Sequence, residues 1–217
     1  EKKKVQALAG FGAKTEEKIL KELETFGQRK ERLPAWQLEP VVHEINELLA
    51  SIPEVKRFSV AGSFRRVNET SKDIDFIVAT EQHDIVREAL LANLVLVETV
   101  AAGDTKVSVI LDKEDPVSVD FRLVKNHEFS TALHHFTGSK DHNVRMRQLA
   151  KDQGKKISEY GVVQENGTIE TFDSEEAFFA HFGLPFIPPT VRENGKELER
   201  LEELKELVTL EDIVSDL

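Results

Sequence analysis

The sequence predicts an α+β fold, a small mixed sheet covered by helices and flanked by helical segments on both sides. Two observations predict it. Between residues 58 and 124 the chain reads as five short β-branched runs interrupted by one helix pattern. Before and after that stretch the apolar residues recur at helical spacing, with Gly, Pro and charged joints between segments.

Taken in order, residues 5–26 read as two short helices around Gly10-Phe11-Gly12, with Ile19, Leu20, Leu23 and Phe26 on one face of the second. Gln28 to Pro34 is a charged joint. From Pro40 to Ile52 the positions Val41, Ile45, Leu48, Leu49 and Ile52 make a one-faced helix that Pro53 stops. Phe58–Ala61, Ile74–Ala79, Leu94–Val100, Lys106–Leu111 and Val117–Val124 are strand-like, with a helix over His83–Leu91. Beyond Lys125 the pattern predicts helices at Glu128–Phe136 and Asp141–Gln153, a hairpin of Ile157–Val163 with Thr168–Phe172, and helices near Glu175–Phe182 and Lys196–Leu207. The expected division is 1–33, 34–124 and 125–217, with an extended Pro-rich joint at Pro185–Pro189 and no internal repeat.

Of the 217 residues 40% are hydrophobic and 32% charged, as in a soluble globular protein, and no apolar run approaches the ~20 residues that cross a bilayer. With no cysteine, disulfides and thiolate metal sites are excluded, and any metal must sit on oxygen or imidazole; this fits the cytosol. The chain opens at Glu1 without a signal pattern, the expectation for a piece of a longer protein. A net charge of −11 argues by itself against a nucleic-acid partner. Its distribution argues the other way, because Lys125–Tyr160 holds seven Lys and Arg against four acids while 165–217 is mostly acidic.

Asp73-Ile74-Asp75 opens a strand, and carboxylates at i and i+2 project from one face. Asp120 lies in another strand between apolar neighbours, where a lone carboxylate is costly unless paired, exposed or metal-bound. If the strands are adjacent, three sets of oxygens converge on a site suited to Mg²⁺ or Mn²⁺. A D-x-D pair alone is more often a turn or cap. Gly62-Ser63-Phe64-Arg65-Arg66, just after a strand, adds a phosphate cradle: Gly62 permits close approach, Ser63 a hydroxyl, Arg66 a charge.

Gly-Ser followed by a strand bearing D-x-D is the layout of the nucleotidyltransferase superfamily. The extended form here, GSFRR then eight residues then DF, resembles the family X DNA polymerases of bacteria and archaea. The resemblance covers nearly the whole chain. It implies a palm at 34–124, a helix-hairpin-helix remnant at 1–33, and a nucleotide-selecting subdomain at 125–217. Thr131–Ser139, His142–Arg147 and Ile157–Gly161 match that subdomain. His135, Phe136 and Gly138 then fall against the sugar, Asn143 at the incoming base, Arg147 on the template strand, and Arg32 near the triphosphate beside Gly62, Ser63 and Arg66. Eukaryotic members usually carry Tyr at the position of His135, and many members have Gly at that of Lys72. Without the motif, His134 and His135 would read as surface imidazoles and Phe136 as core.

Gly10, Gly12, Lys14 and Thr15 resemble a DNA-binding hairpin turn, whose backbone amides and lysine would meet a phosphate. Pro188–Glu193 and Leu207–Leu217 resemble the connector toward a PHP-type phosphoesterase domain, so nuclease activity is not assigned to these residues. The implied reaction joins a dNTP to a DNA 3′-hydroxyl on gapped or primer-template DNA, in base excision or related DNA repair. It uses two ions, Mg²⁺ or Mn²⁺, held by Asp73, Asp75 and Asp120, in a cytoplasmic and monomeric protein. Two other readings stay open: a nucleotidyltransferase acting on RNA, protein or a small molecule, and a gapped-DNA-binding segment with little turnover.

Overall fold

The computed structural model describes Gly12 and residues 32–206. The chain divides into two compact units, Glu1–Arg32 and Leu33–Leu217, and the elements below belong to the second. The helices expected within 5–26 lie outside the described residues.

The first helix, α1, runs Ala35–Ser51 and carries Pro40 inside it. Expected to start at Pro40, it begins five residues earlier. A proline interrupts one backbone bond of the ladder. The buried stripe of Leu38, Val41, Val42, Ile45 and Leu49 runs straight through it, so packing against the sheet overrides the local break.

The sheet has five strands in the order β2-β4-β7-β6-β5, where β2 is Val55–Val60, β4 Asp73–Thr80, β5 Leu96–Ala102, β6 Lys106–Leu111 and β7 Val117–Val124. A two-stranded ribbon of β1 (Leu33–Pro34) and β3 (Thr70–Ser71) sits apart from it. All neighbours are antiparallel except β4 and β7, which run parallel. A parallel pair needs a crossover, and the chain makes it through α3 (His83–Asn93), β5 and β6. The α+β class expected from the sequence is therefore the one observed.

Alternation along β4 and β7 decides what each face meets. Ile74, Phe76 and Val78 with Val119, Phe121 and Leu123 form the core against α1 and against Val86 and Leu90 of α3. Phe76 and Phe121 stack at its centre with ring centroids 5.7 Å apart. On the opposite face Ile77 and Ala79 pack under Phe129, Ala132 and Leu133 of α4 (Phe129–Thr137).

A third core holds the last part of the chain. Met146 and Ala150 of α5 (Lys140–Asp152) meet Ile157, Val162, Phe172 and Ile187, together with Phe178 and Phe179 of α6 (Glu175–His181) and the adjacent Phe182. The hairpin expected here pairs β9 (Val162–Val163) with β10 (Ile169–Glu170), and β8 (Lys156–Ile157) adds a third two-residue strand beside β9. The Ser158–Gly161 turn folds β8 back onto β9, with Ser158 N donating to Gly161 O at 2.9 Å. A Cβ on Gly161 would lie 2.6 Å from the Glu170 carbonyl oxygen, so this turn needs glycine. The helix expected at 196–207 appears as 3₁₀ turns, Glu197–Glu199 and Leu201–Glu206. Of its apolar residues, Leu198 in the first turn and Leu201 at the start of the second touch the core, and Arg200 between them leaves helical geometry with φ −123°.

Candidate active site

The parallel register of β4 and β7 puts Asp75 directly opposite Asp120, and Asp73 opposite Ser118. Asp73 shares a face with Asp75, so the three predicted carboxylates lie on one face of two adjacent strands. α4 covers that face at Ile77 and Ala79, and the acids sit just outside its cover. Asp73 is exposed; Asp75 and Asp120 are partly buried.

Crowding shows in the charges. Burial pushes Asp75 up to about 7, Asp73 and Asp120 push in the same direction, and Lys106 and Arg122 pull against them. Lys106 at the start of β6 places Nζ 2.6 Å from Asp120 Oδ2. Among the described residues no three acidic or imidazole side chains form a ready-made metal site. The donor set still fits a hard divalent cation: clustered carboxylate oxygens with more negative charge than their neighbours neutralise.

The glycine turn is built onto this cluster. Ala61 N donates to Asp75 O at 2.7 Å, and the chain then enters α2 (Gly62–Arg65). Gly62 has φ +62°, and a Cβ there would collide with Asp75 Oδ2. Ser63 Oγ lies 2.8 Å from the hydroxyl of buried Ser71. Arg66 reaches away from the sheet, donating from Nη1 to Thr137 O at 2.6 Å and from Nε to Glu193 Oε1 at 2.9 Å. That brings its guanidinium beside Gly138, where an added Cβ would stand 3.4 Å from Nη1.

Beyond Gly138 the remaining predicted residues gather at the junction of α4 and α5. Asn143 Nδ2 donates to His135 O at 2.7 Å, while its Oδ1 is buried without a partner among the described residues. His135 Nε2 is 3.9 Å from Glu159 Oε2. The Phe136 ring lies under the Arg122 guanidinium, 4.6 Å from its centroid. Arg147 is exposed on α5, and Arg32 is exposed immediately before β1. Gly12 is exposed with open space around its Cα, whereas Gly10, Lys14 and Thr15 lie outside the described residues.

Comparison with known proteins finds similar sequences. The family model described as DNA polymerase beta thumb matches residues 132–193, which span the α4–α5 junction and the phenylalanine-rich core. The DNA polymerase/3′-5′ exonuclease PolX of Bacillus subtilis (strain 168) is 53% identical over 218 residues, covering 100% of this chain. By sequence, the chain belongs to the family X DNA polymerases. It spans 38% of the length of that curated relative. Among the described residues no helix is long and apolar enough to cross a membrane.

Three groups near the predicted site residues escaped sequence reasoning. Lys106 carries no local signal, since its link to Asp120 exists only through the β6–β7 register. Arg65, next to the predicted Arg66, gives Nη1 to Thr137 Oγ1 at 2.8 Å and Nη2 to Glu175 Oε2 at 2.6 Å. Glu175 Oε1 accepts from fully buried Arg192 at 2.8 Å, whose guanidinium carbon also lies 5.0 Å from the Phe179 ring centroid. Burial pushes the Glu175 carboxyl up, but Arg192 and Arg65 outweigh it and hold the acid below its ordinary range.

The third group is a buried relay. His134, a surface position by sequence, is buried with Nε2 3.0 Å from His142 Nε2, and His142 Nδ1 lies 2.6 Å from Glu197 Oε1. His142 donates Nδ1–H to Glu197, and its Nε2 then accepts from His134 Nε2–H. This leaves His134 Nδ1 bare, and it is indeed the ring nitrogen without a partner among the described residues. Burial holds both imidazoles below their usual range.

Proposed function

We propose that this chain carries the nucleotidyl-transfer centre of a DNA-directed DNA polymerase, extending a primer 3′-hydroxyl with dNTPs on gapped DNA during repair. The observation that carries the reading is the opposed pair Asp75 and Asp120 on parallel strands, with Asp73 alongside and Gly62 fitted against Asp75. Asp73, Asp75 and Asp120 would hold Mg²⁺ or Mn²⁺, which when bound supply charge stabilisation and a more acidic hydroxyl.

The chain's own residues orient the reaction. The 3′-hydroxyl oxygen bonds to the α-phosphorus, and the bond from that phosphorus to the β-phosphate bridging oxygen breaks. Pyrophosphate leaves and the hydroxyl proton passes to the carboxylate cluster, assisted by Asp120. Gly62 and Ser63 give a backbone and hydroxyl edge to the triphosphate, and Arg66 a guanidinium. Asn143, oriented by its Nδ2 bond to His135 O, lies on the side of the incoming nucleotide, whose sugar meets Phe136 and Gly138. Arg147, exposed on α5, faces the template strand's phosphates. Catalysis of this kind is positioning plus electrostatics.

The test is extension of a one-nucleotide-gapped primer with Mg²⁺ and then Mn²⁺. Asp75→Ala is expected to lower extension by roughly 100-fold or more while circular dichroism stays unchanged. Undiminished extension by this variant would refute the assignment. Steeply salt-dependent binding of gapped DNA with no incorporation by the parent chain would favour the binding-segment reading.

A further inference from the structure

We infer that the Lys106 ammonium is a built-in counter-ion of the carboxylate cluster, holding Asp120 while no divalent cation is bound and releasing it when one binds. Lys106 is thus a positioning residue that sets the threshold of cation loading. The inference rests on the cation-dependent reading of the site given above.

Register supplies the first argument. Lys106 pairs with Arg122 and Ser108 with Asp120, so Lys106 is the diagonal neighbour of Asp120 on the carboxylate face. Its Nζ stands 2.6 Å from Oδ2 of Asp120, so it competes for a carboxylate that would help hold a cation beside Asp75. The other cation acting on Asp75, Arg122, is engaged over the Phe136 ring. Ser118, opposite Asp73, brings no charge.

Exposure supplies the second. The Lys106 and Asp120 side chains are 35% and 28% exposed, so water reaches the pair and it can exchange partners at little cost. The pair Arg192–Glu175, at 0% and 5%, is buried and fixed by comparison. Gly103 N donates to Lys106 O at 2.8 Å, and strand pairing holds the rest of the Lys106 backbone. Only the flexible side-chain arm has to move.

The experiment measures Mn²⁺ alone binding to the full chain, without DNA or nucleotide, by the loss of the free-ion paramagnetic resonance signal. Lys106→Met is expected to bind Mn²⁺ about tenfold more tightly than the parent, because a competing charge has been removed from the ligand oxygen. Lys106→Arg, which keeps a cation at Asp120, is expected to stay near the parent affinity. Asp75→Asn in each background should abolish the tight binding. Mn²⁺ binding that depends on Asp75 but is equal or weaker in Lys106→Met overturns this inference and leaves the proposed function standing. An absence of Asp75-dependent binding in every variant overturns both.

Discussion

At the residue scale the site is defined by what Asp75 touches. Replacing Gly62 by Ala forces a Cβ into the Asp75 carboxylate at a φ of +62°, and is expected to destabilise the fold by about 1–3 kcal/mol and to depress primer extension. Matched thermal unfolding and extension assays check both, and a neutral result would contradict the contact. Asp75→Asn removes a carboxylate crowded by Asp73 and Asp120, so in metal-free buffer at pH 8 its thermal midpoint should rise above the parent's while extension is lost. The D-x-D pair was legible in the sequence because side chains on a strand alternate, which fixes Asp73 and Asp75 on one face whatever lies around them. Their meeting with Asp120 was legible only as a condition on strand adjacency. Lys106 was not legible, since its role depends on a diagonal contact across two strands that nothing local encodes.

At the element scale the helices around the site are tied by charge. Glu175 of α6 joins Arg65 of α2 to Arg192 near the end of the described chain. Glu175→Ala would leave Arg192 buried and unpaired, and is expected to cost about 3–5 kcal/mol in a urea unfolding experiment. A loss below about 1 kcal/mol would mean that water or another acid takes over. Strands and helices of the central region were readable because their apolar periods are clean, as in Val117–Val124 and His83–Asn93. Where the sequence misled, a local signal was overruled by packing. Pro40 marked a helix start, yet the stripe Leu38 to Leu49 carried the helix past it. The charged run after Lys196 looked helical, yet Arg200 at φ −123° divides it into two 3₁₀ turns, which set Leu198 and Leu201 against the core.

At the scale of the whole molecule, the buried histidines and the paired glutamates make stability fall in acid. Burial holds His134, His135 and His142 below the ordinary 6.5, so the unfolded chain takes up protons there that the folded chain resists. Their contribution is full above that pH and is lost as pH falls through it. Glu175 and Glu197 sit below the ordinary 4.5, where Arg192 and Arg65 for the first and His142 for the second overcome burial, and their contribution is lost as pH falls through those depressed values. Asp75, pushed up to about 7, works the other way, its penalty easing as pH falls from 7. In Asp75→Asn, urea midpoints from pH 8 to pH 4 should therefore begin to drop between pH 7 and pH 6 and steepen near pH 4. A profile flat to pH 5 would contradict the buried relay. The parallel crossover between β4 and β7 has one more consequence, which concerns time. Asp75 and Asp120 are separated in the chain by the whole of α3, β5 and β6, so their pairing is a non-local closure, which comes slowly to a folding chain. In a refolding experiment the carboxylate pair should therefore appear with the last structural phase, and its arrival marks a molecule that has finished folding.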